Sequence, residues 1–325
     1  MVELFDARTA VPYLADRIGI DPDRAVVTPL GGGVSNVVLA VDDGARSVVL
    51  KQALHRLRVA DEWTAPQERA ESEAWAMTLA ATLVPGSVPE VVHHDPDRHA
   101  LVVARAPASW TDWKSRLLAG EIDPAVAARI GDVVGRWHRA TLDGAGVPPR
   151  MRAAAAFEQL RVEPYYRTAA RRAPTYARAL LAHAAALAAP PRPTLVHGDL
   201  SPKNVLVGDR TALIIDFEVA HLGDPAFDLA FLLSHLTLKS IHRPEWTEAF
   251  RSCTTVFAAA YTASAGAGLT PDWPRVHGHV GCLLIARVHG KSPAEYLTAP
   301  QRETTVARGA ALLHHPPSHV EELFA

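Results

Sequence analysis

Cysteine is nearly missing from this chain: Cys253 and Cys282 are the only two in 325 residues. That excludes a disulfide scaffold and a thiolate zinc site, and both are expected to be buried thiols. Long apolar runs are missing too. None reaches the roughly 20 residues that a membrane-spanning helix needs, so no membrane partner is expected. The opening Met-Val-Glu-Leu-Phe-Asp has neither the basic nor the apolar region of a secretion signal, which leads to the expectation of a cytoplasmic protein. Neither sign of charge is in excess, with 33 Lys and Arg against 35 Asp and Glu, and no nucleic-acid partner is expected. The pairs His93-His94 and His314-His315 lack both the i, i+4 spacing and the accompanying ligands of a transition-metal site. Internal repeats are absent, and nothing in the sequence speaks to oligomeric state. What is abundant is apolar surface, 48% of residues, enough in a chain of this length for two lobes with a substantial core.

Against this background the run His197-Gly198-Asp199-Leu200-Ser201-Pro202-Lys203-Asn204 stands out, with Asp216 following twelve residues after Asn204 in Leu213-Ile214-Ile215-Asp216-Phe217-Glu218. A lone His-Gly-Asp would be a turn. Here two short apolar runs, Val205-Leu206-Val207 and Ala212-Leu213-Ile214-Ile215, flank Gly208-Asp209-Arg210, a hairpin signal that brings Asn204 and Asp216 to one end. Phosphoryl transfer passes through a loose transition state, so it needs positioning and metal-borne positive charge more than covalent chemistry. The residue types fit that demand. Asp216 would be the main carboxylate on magnesium, Asn204 would add an amide oxygen to a second ion, and Asp199 would face the acceptor hydroxyl. His197 reads as a buried residue holding the loop by hydrogen bonds rather than as a base.

Upstream, Leu30-Gly31-Gly32-Gly33-Val34-Ser35-Asn36 precedes one apolar run, and Asp42-Asp43-Gly44 leads to a second that ends in Lys51. This reads as a glycine-rich loop on a β-hairpin. Gly31, Gly32, Gly33 and Ser35 would approach the phosphates of ATP, with the Lys51 ammonium placed on them from the next strand. Lys51 needs an acidic partner. The segment from Gln67 to Leu83 reads as a helix carrying Glu68, Glu71 and Glu73. Glu73 is preferred because Ala74, Trp75, Met77 and Leu79 around it suggest a core-facing stretch, although the sequence alone leaves the other two open.

These motifs resemble those of the aminoglycoside phosphotransferase family of small-molecule kinases, which also includes choline, fructosamine, homoserine and methylthioribose kinases. The catalytic-loop run is similar to the family's own, Ile215-Asp216-Phe217-Glu218 to its metal-binding motif, and Gly223-Asp224-Pro225-Ala226-Phe227-Asp228-Leu229-Ala230 to a downstream element whose aspartate, here Asp228, braces the catalytic loop from behind. Lys51-Gln52-Ala53-Leu54, with Glu68-Arg69-Ala70 and Glu73-Ala74, looks most like the amino-terminal lobe of methylthioribose kinases. The match breaks at Asn204 and at Phe217, where that group lacks the asparagine and carries Asp-Pro-Glu. The resemblance implies an α+β, bilobal, protein-kinase-like fold: a small antiparallel-sheet N-lobe over 1–106 that binds nucleotide, and a mainly helical C-lobe over 107–325. Arg105-Ala106-Pro107-Ala108 would be the hinge, its backbone meeting the adenine from Arg105 onward.

The expected activity is ATP- and magnesium-dependent phosphorylation of a small-molecule hydroxyl. Residues 1–108 hold ten Lys and Arg against fifteen Asp and Glu, and residues 109–325 hold twenty-three against twenty. The slightly basic substrate lobe leans toward a neutral or anionic acceptor, a sugar or methylthioribose-like alcohol, because a polycationic aminoglycoside is gathered best by an acidic pocket. A choline-like acceptor would need an aromatic cage, for which Trp110, Trp113, Tyr165 and Tyr166 are the candidates. Arg161 and Arg287 are candidate acceptor contacts. Gly290-Lys291-Ser292 imitates the end of a P-loop, but Ile285 stands where a glycine is required. The alternatives are an aminoglycoside or other amino-alcohol kinase and, from another class, a catalytically silent nucleotide-binding regulator.

Overall fold

The computed structural model describes residues 3–31, 34–58, 63–208 and 211–324. Helix α1 (Ala7–Ile18) begins at Asp6, whose side chain caps the first turn reciprocally with Thr9, and stops at Gly19, where φ is 71°. Strands β1 (Val26–Pro29), β2 (Asn36–Asp42) and β3 (Ser47–Ala53) follow, then α2 (Arg69–Leu83), β4 (Val91–Asp95) and β5 (Ala100–Ala104). The five strands form one antiparallel sheet in the order β1-β2-β3-β5-β4. Alternation along β3 sends Val48 and Leu50 into a core shared with Phe5, Leu14 and Val102, while Lys51 faces the other way. That face is the one covered by α2.

After β5 the chain becomes helical. A short β6 (Thr111–Asp112) leads into α3 (Trp113–Leu118) and α4 (Pro124–Ala140), the latter capped by Asp123 with proline at its first position. A single turn, α5 (Ala155–Phe157), runs into a π-helix over Glu158–Arg167, then α6 (Thr168–Arg172) and α7 (Ala177–Leu187). Next come β7 (Thr194–Val196), the hairpin β8 (Val205–Val207) and β9 (Ala212–Ile214), β10 (His221–Gly223), and the helices α8 (Pro225–His242), α9 (Thr247–Ala265), α10 (Trp273–His289) and α11 (Ala299–His314). Strand β10 pairs antiparallel with β7, and β6 extends the β8–β9 hairpin.

The expected α+β division into a small antiparallel sheet followed by a mainly helical part is what the structure has. Gly131 and Gly135 of α4 lie against the backbone of α9, where a Cβ at 131 would fall 2.4 Å from the Phe257 carbonyl. The main core joins Met77 of α2, Leu101 of β5, Trp113, Trp137 and Phe217, so the sheet lobe and the helical lobe share one apolar interior. Both cysteines are free and buried, as expected. Among the described residues no helix is long and apolar enough to cross a membrane.

Candidate active site

The β8–β9 hairpin pairs Val205 with Ile214, and the Ile215 N–H donates to the Asn204 carbonyl at 2.9 Å. Asn204 and Asp216 therefore leave the same end of the hairpin, as the spacing predicts; the turn positions Asp209 and Arg210 lie outside the described residues. Asp216 has φ 72°, a left-handed conformation uncommon for a non-glycine residue. Its carboxylate lies 2.7 Å from the Lys51 ammonium, which also reaches Glu73 at 2.5 Å. Burial opposes charge on Lys51, but Asp216 and Glu73 outweigh it and hold the ammonium protonated. Burial also pushes the Glu73 carboxyl up to about 7, against the pull of Lys51. Asp216 is held well below the usual carboxylate range, since Lys51 and then Lys203 overcome its burial. Glu73, rather than Glu68 or Glu71, is the partner that the structure gives Lys51.

Asp199 is 2% exposed. Three nitrogens converge on its Oδ2: Asn204 Nδ2 donates at 2.8 Å, and Arg161 Nη2 at 2.7 Å and Lys203 Nζ at 3.3 Å form ion pairs with it. Among the described residues none is bonded to Oδ1, so the carboxylate is fixed by one oxygen and can offer the other to a hydroxyl. Asn204 spends its amide nitrogen on the Asp199 carbonyl and carboxylate, which leaves its side-chain oxygen available. Among the described residues no three His, Cys, Asp or Glu side chains cluster as a metal cage. One carboxylate and one amide oxygen are the sparse, hard donor set with which magnesium is held when phosphates and water supply the rest.

The loop is braced from inside. Both carboxylate oxygens of Asp228 accept backbone N–H groups, from His197 at 2.7 Å and Gly198 at 2.8 Å. His197 bonds through Nε2 to the Ile215 carbonyl at 3.0 Å and accepts the Asp199 N–H on Nδ1 at 3.1 Å, an arrangement that uses the neutral ring; burial lowers its pKa in keeping. Gly198 has φ 74°, and a Cβ there would fall 2.9 Å from the Val219 carbonyl. His138 and Tyr261, which the sequence did not single out, stand behind Asp228: His138 Nε2 lies 3.4 Å from its carboxylate and Nδ1 3.0 Å from the tyrosine hydroxyl. No local signal marks either residue, because each reads as one more core position of a helix.

The structure places the remaining candidates as follows. Gly32 and Gly33 lie outside the described residues, and Gly31 is exposed with nothing within 4 Å of an added Cβ, so the surrounding protein does not require glycine there. Ser35 does not face outward; it is buried and donates to Glu218 at 3.0 Å. The Arg105 N–H extends the sheet by donating to the Ser47 carbonyl at 3.0 Å, so that N–H is not open to a nucleotide. Arg161 is buried and turned to the catalytic loop, with Nε also on the Gly198 carbonyl at 3.0 Å, instead of reaching toward an acceptor. Arg287 bonds to the Ser292 carbonyl at 2.6 Å and hydroxyl at 2.9 Å. Trp113 and Tyr166 are fully buried in the core and unable to form a cation cage.

Residues 26–279 match the sequence profile of the phosphotransferase enzyme family. A methylthioribose kinase of Bacillus cereus strain G9842 is 26% identical over 271 residues, 73% of this chain and 67% of that protein. Methylthioribose kinase 2 of Oryza sativa subsp. japonica is 27% identical over 256 residues, 70% of this chain but only 60% of its own length. Among solved structures, a choline/ethanolamine kinase family protein from Mesorhizobium loti superposes with a TM-score of 0.57 at 20% identity, covering 97% of each chain. That last likeness concerns the fold alone.

Proposed function

Since this chain belongs to the phosphotransferase enzyme family, we propose that it is an ATP- and magnesium-dependent kinase of a small-molecule alcohol, with a sugar or methylthioribose-like acceptor. The observation that carries this reading is the one-sided anchoring of Asp199. Its Oδ2 is fixed by Arg161, Asn204 and Lys203, and its Oδ1 is left to accept a hydroxyl's hydrogen bond and then its proton.

In this reading Lys51, oriented by Glu73, moves its ammonium from Asp216 to the nucleotide's phosphates. Asp216 and Asn204 would hold magnesium, and the ion would supply positive charge against that developing on the transferred phosphoryl. The nucleotide sits between the loop that begins at Gly31 and the hinge, which divides 1–106 from 107–325. Asp228 and His197 keep the catalytic loop in register. The amino-alcohol alternative is disfavoured by the cations around Asp199 and by the burial of Trp113 and Tyr166. The inactive-regulator alternative is disfavoured by the presence of every acidic and amide group that the transfer needs.

The test is magnesium-dependent ADP release from ATP across pentoses, hexoses, methylthioribose, choline and aminoglycosides, with Asp216→Ala as the blank. Acceptor-stimulated release above the blank supports the proposal. Uniform silence with ATP still bound favours the regulatory reading.

A further inference from the structure

Beyond Arg161 the C-lobe carries cations that the transfer chemistry leaves unused. Phe231, His235 and Lys239 recur every four residues and share one stripe of α8. The Phe231 ring lies 5.8 Å from the Arg161 guanidinium and 5.7 Å from the Tyr165 ring, and the His235 ring follows at 5.2 Å. Lys239 folds back along the helix, its Nζ 3.3 Å from the His235 carbonyl, so its ammonium points toward the Asp199 end. Arg287 of α10 reaches the same cluster through Tyr165, with Nη1 3.5 Å from its hydroxyl. Tyr165 feels Arg287, Arg161 and Asp199 together, which ties this cluster to the catalytic aspartate.

Lys239 is 1% exposed, and its charged neighbours are Lys114, Arg287 and Asp112. Asp112 is already committed to the Ser115 N–H at 2.9 Å and hydroxyl at 2.7 Å. Among the described residues Lys239, Arg287 and Lys114 make no ion pair. Arg287 Nε and the Tyr296 hydroxyl are buried with no hydrogen-bond partner. Lys239 is therefore a buried cation without an ion pair, with Arg287 and Lys114 half-buried beside it; an unpaired buried charge is costly, and an anion supplied from outside would pair with it. Burial, reinforced by Lys114 and Arg287, pushes Lys239 down to about 7, where such an anion would restore its charge.

We propose that the acceptor is itself an acid: its hydroxyl meets Asp199 while its carboxylate or phosphate is held by Lys239 and Arg287, with Tyr296 and Lys114 alongside. This rests on the kinase reading above and narrows its substrate class. Helix α8 rises about 1.5 Å per residue, so Phe231 and Lys239 are about 12 Å apart along its axis, less the reach of the folded-back side chain. The two functional groups of the acceptor are therefore several bonds apart.

Matched acceptors test it: glucose against gluconate, ribose against ribose 5-phosphate, and diols against the corresponding ω-hydroxy acids, each with wild type and Lys239→Met. The acid twin is expected to exceed the neutral one by about 10- to 100-fold in kcat/KM, mainly through KM, as a charge-assisted contact implies. Lys239→Met should abolish that preference, lowering kcat/KM for the acid twin to the level of the neutral one. Carboxylate and phosphate arms report separately which acid is recognised. Equal turnover of the twins, or equal slowing of both by Lys239→Met, overturns the inference while leaving the kinase reading intact. Should no acceptor release ADP, the kinase reading alone has failed. Thermal-shift titration with inorganic phosphate and with butyrate, in the presence of a non-hydrolysable ATP analogue, then decides the anion site. Stabilisation that disappears in Lys239→Met supports it, and none in the wild type overturns it.

Discussion

Arg69 Nε lies 3.1 Å from Glu218 Oε2, an ion pair closed between residues 149 positions apart, with the arginine side chain fully buried. The same guanidinium donates to the carbonyls of Ser35 at 2.5 Å and Leu54 at 2.9 Å, and Glu218 accepts from the Ser35 hydroxyl and the Asn36 amide. One pair thus joins the start of α2, the end of β3, the segment before β2 and the residue two beyond Asp216. Arg69→Met should cost about 3–5 kcal/mol, because Glu218 would keep its burial and lose its counter-charge. Urea denaturation measures this, and the double variant Arg69→Met/Glu218→Leu should recover part of the loss. A single variant as stable as wild type would remove the pair from the fold's energetics.

Asp228 accepts two backbone N–H groups of the catalytic loop and contacts His138, all out of solvent. Asp228→Ala should cost about 3 kcal/mol or more, since two buried donors lose their acceptor together. The His138 hydrogen bond, against the effect of burial, holds the Asp228 carboxyl below its ordinary value. With the folded pKa depressed, this contribution is present above pH 3.8, its unfolded value, and is lost as pH falls through the folded one. Asp228→Asn should flatten the acid limb of the stability curve, and an unaltered limb would exclude that contribution.

Arg161→Met should lower turnover by about 10²–10³, with the loss of one preorganised electrostatic contact from a site as the guide to magnitude. Asp199 would keep Asn204 and Lys203 on Oδ2 but lose its shortest contact. Asp199→Asn should fall further, by about 10²–10⁴, as expected for loss of a proton acceptor. Neither should weaken binding of a nucleotide analogue by calorimetry. An Arg161→Met enzyme that keeps its kcat and raises only the acceptor KM would return Arg161 to the role of a substrate contact.

Legibility in the sequence follows the range of the forces involved. The Asn204–Asp216 hairpin could be read because turn residues and flanking apolar runs are local signals. Lys51 and Glu73 were legible in type, one on a strand and one on a core-facing helix, since period-2 and helical patterns decide which face each presents. Arg161 was singled out for the wrong partner: a π-helix with Pro164 inside it sets the direction of that side chain, and 3.6-residue spacing cannot anticipate it. Ser35 fell away for a different reason. It has a donor of the expected kind, but Glu218 takes it from 183 positions away. His138 and Tyr261 meet Asp228 only through packing of α4 against α9 and α8, a tertiary fact with no sequence period of its own.

Lys239 makes the pH dependence of stability and of anion binding a joint test. Its folded pKa, about 7, is below the ordinary lysine value of 10.5, chiefly through burial and then through Lys114 on α3 and Arg287 on α10, with only Asp112 opposing. His235, one turn back on α8, faces the same cations and is itself held well below its ordinary value, mainly by burial. Between pH 7 and 10.5 the unfolded chain therefore binds the extra proton, and stability from this group rises with pH across that window. Below pH 7 the folded protein carries the full penalty of a buried ammonium. Lys239→Met should then be more stable than wild type at pH 6, by roughly 3–5 kcal/mol, with the advantage shrinking toward pH 10. An acidic ligand reverses the balance by pairing with the ammonium, so its binding near pH 8 should take up a proton and its affinity should fall as pH rises above 7. Calorimetry in buffers of different ionisation enthalpy reads that proton directly. Binding without proton uptake, together with equal stability of wild type and Lys239→Met at pH 6, would mean that Lys239 reaches solvent and is not the buried cation that the anion site requires.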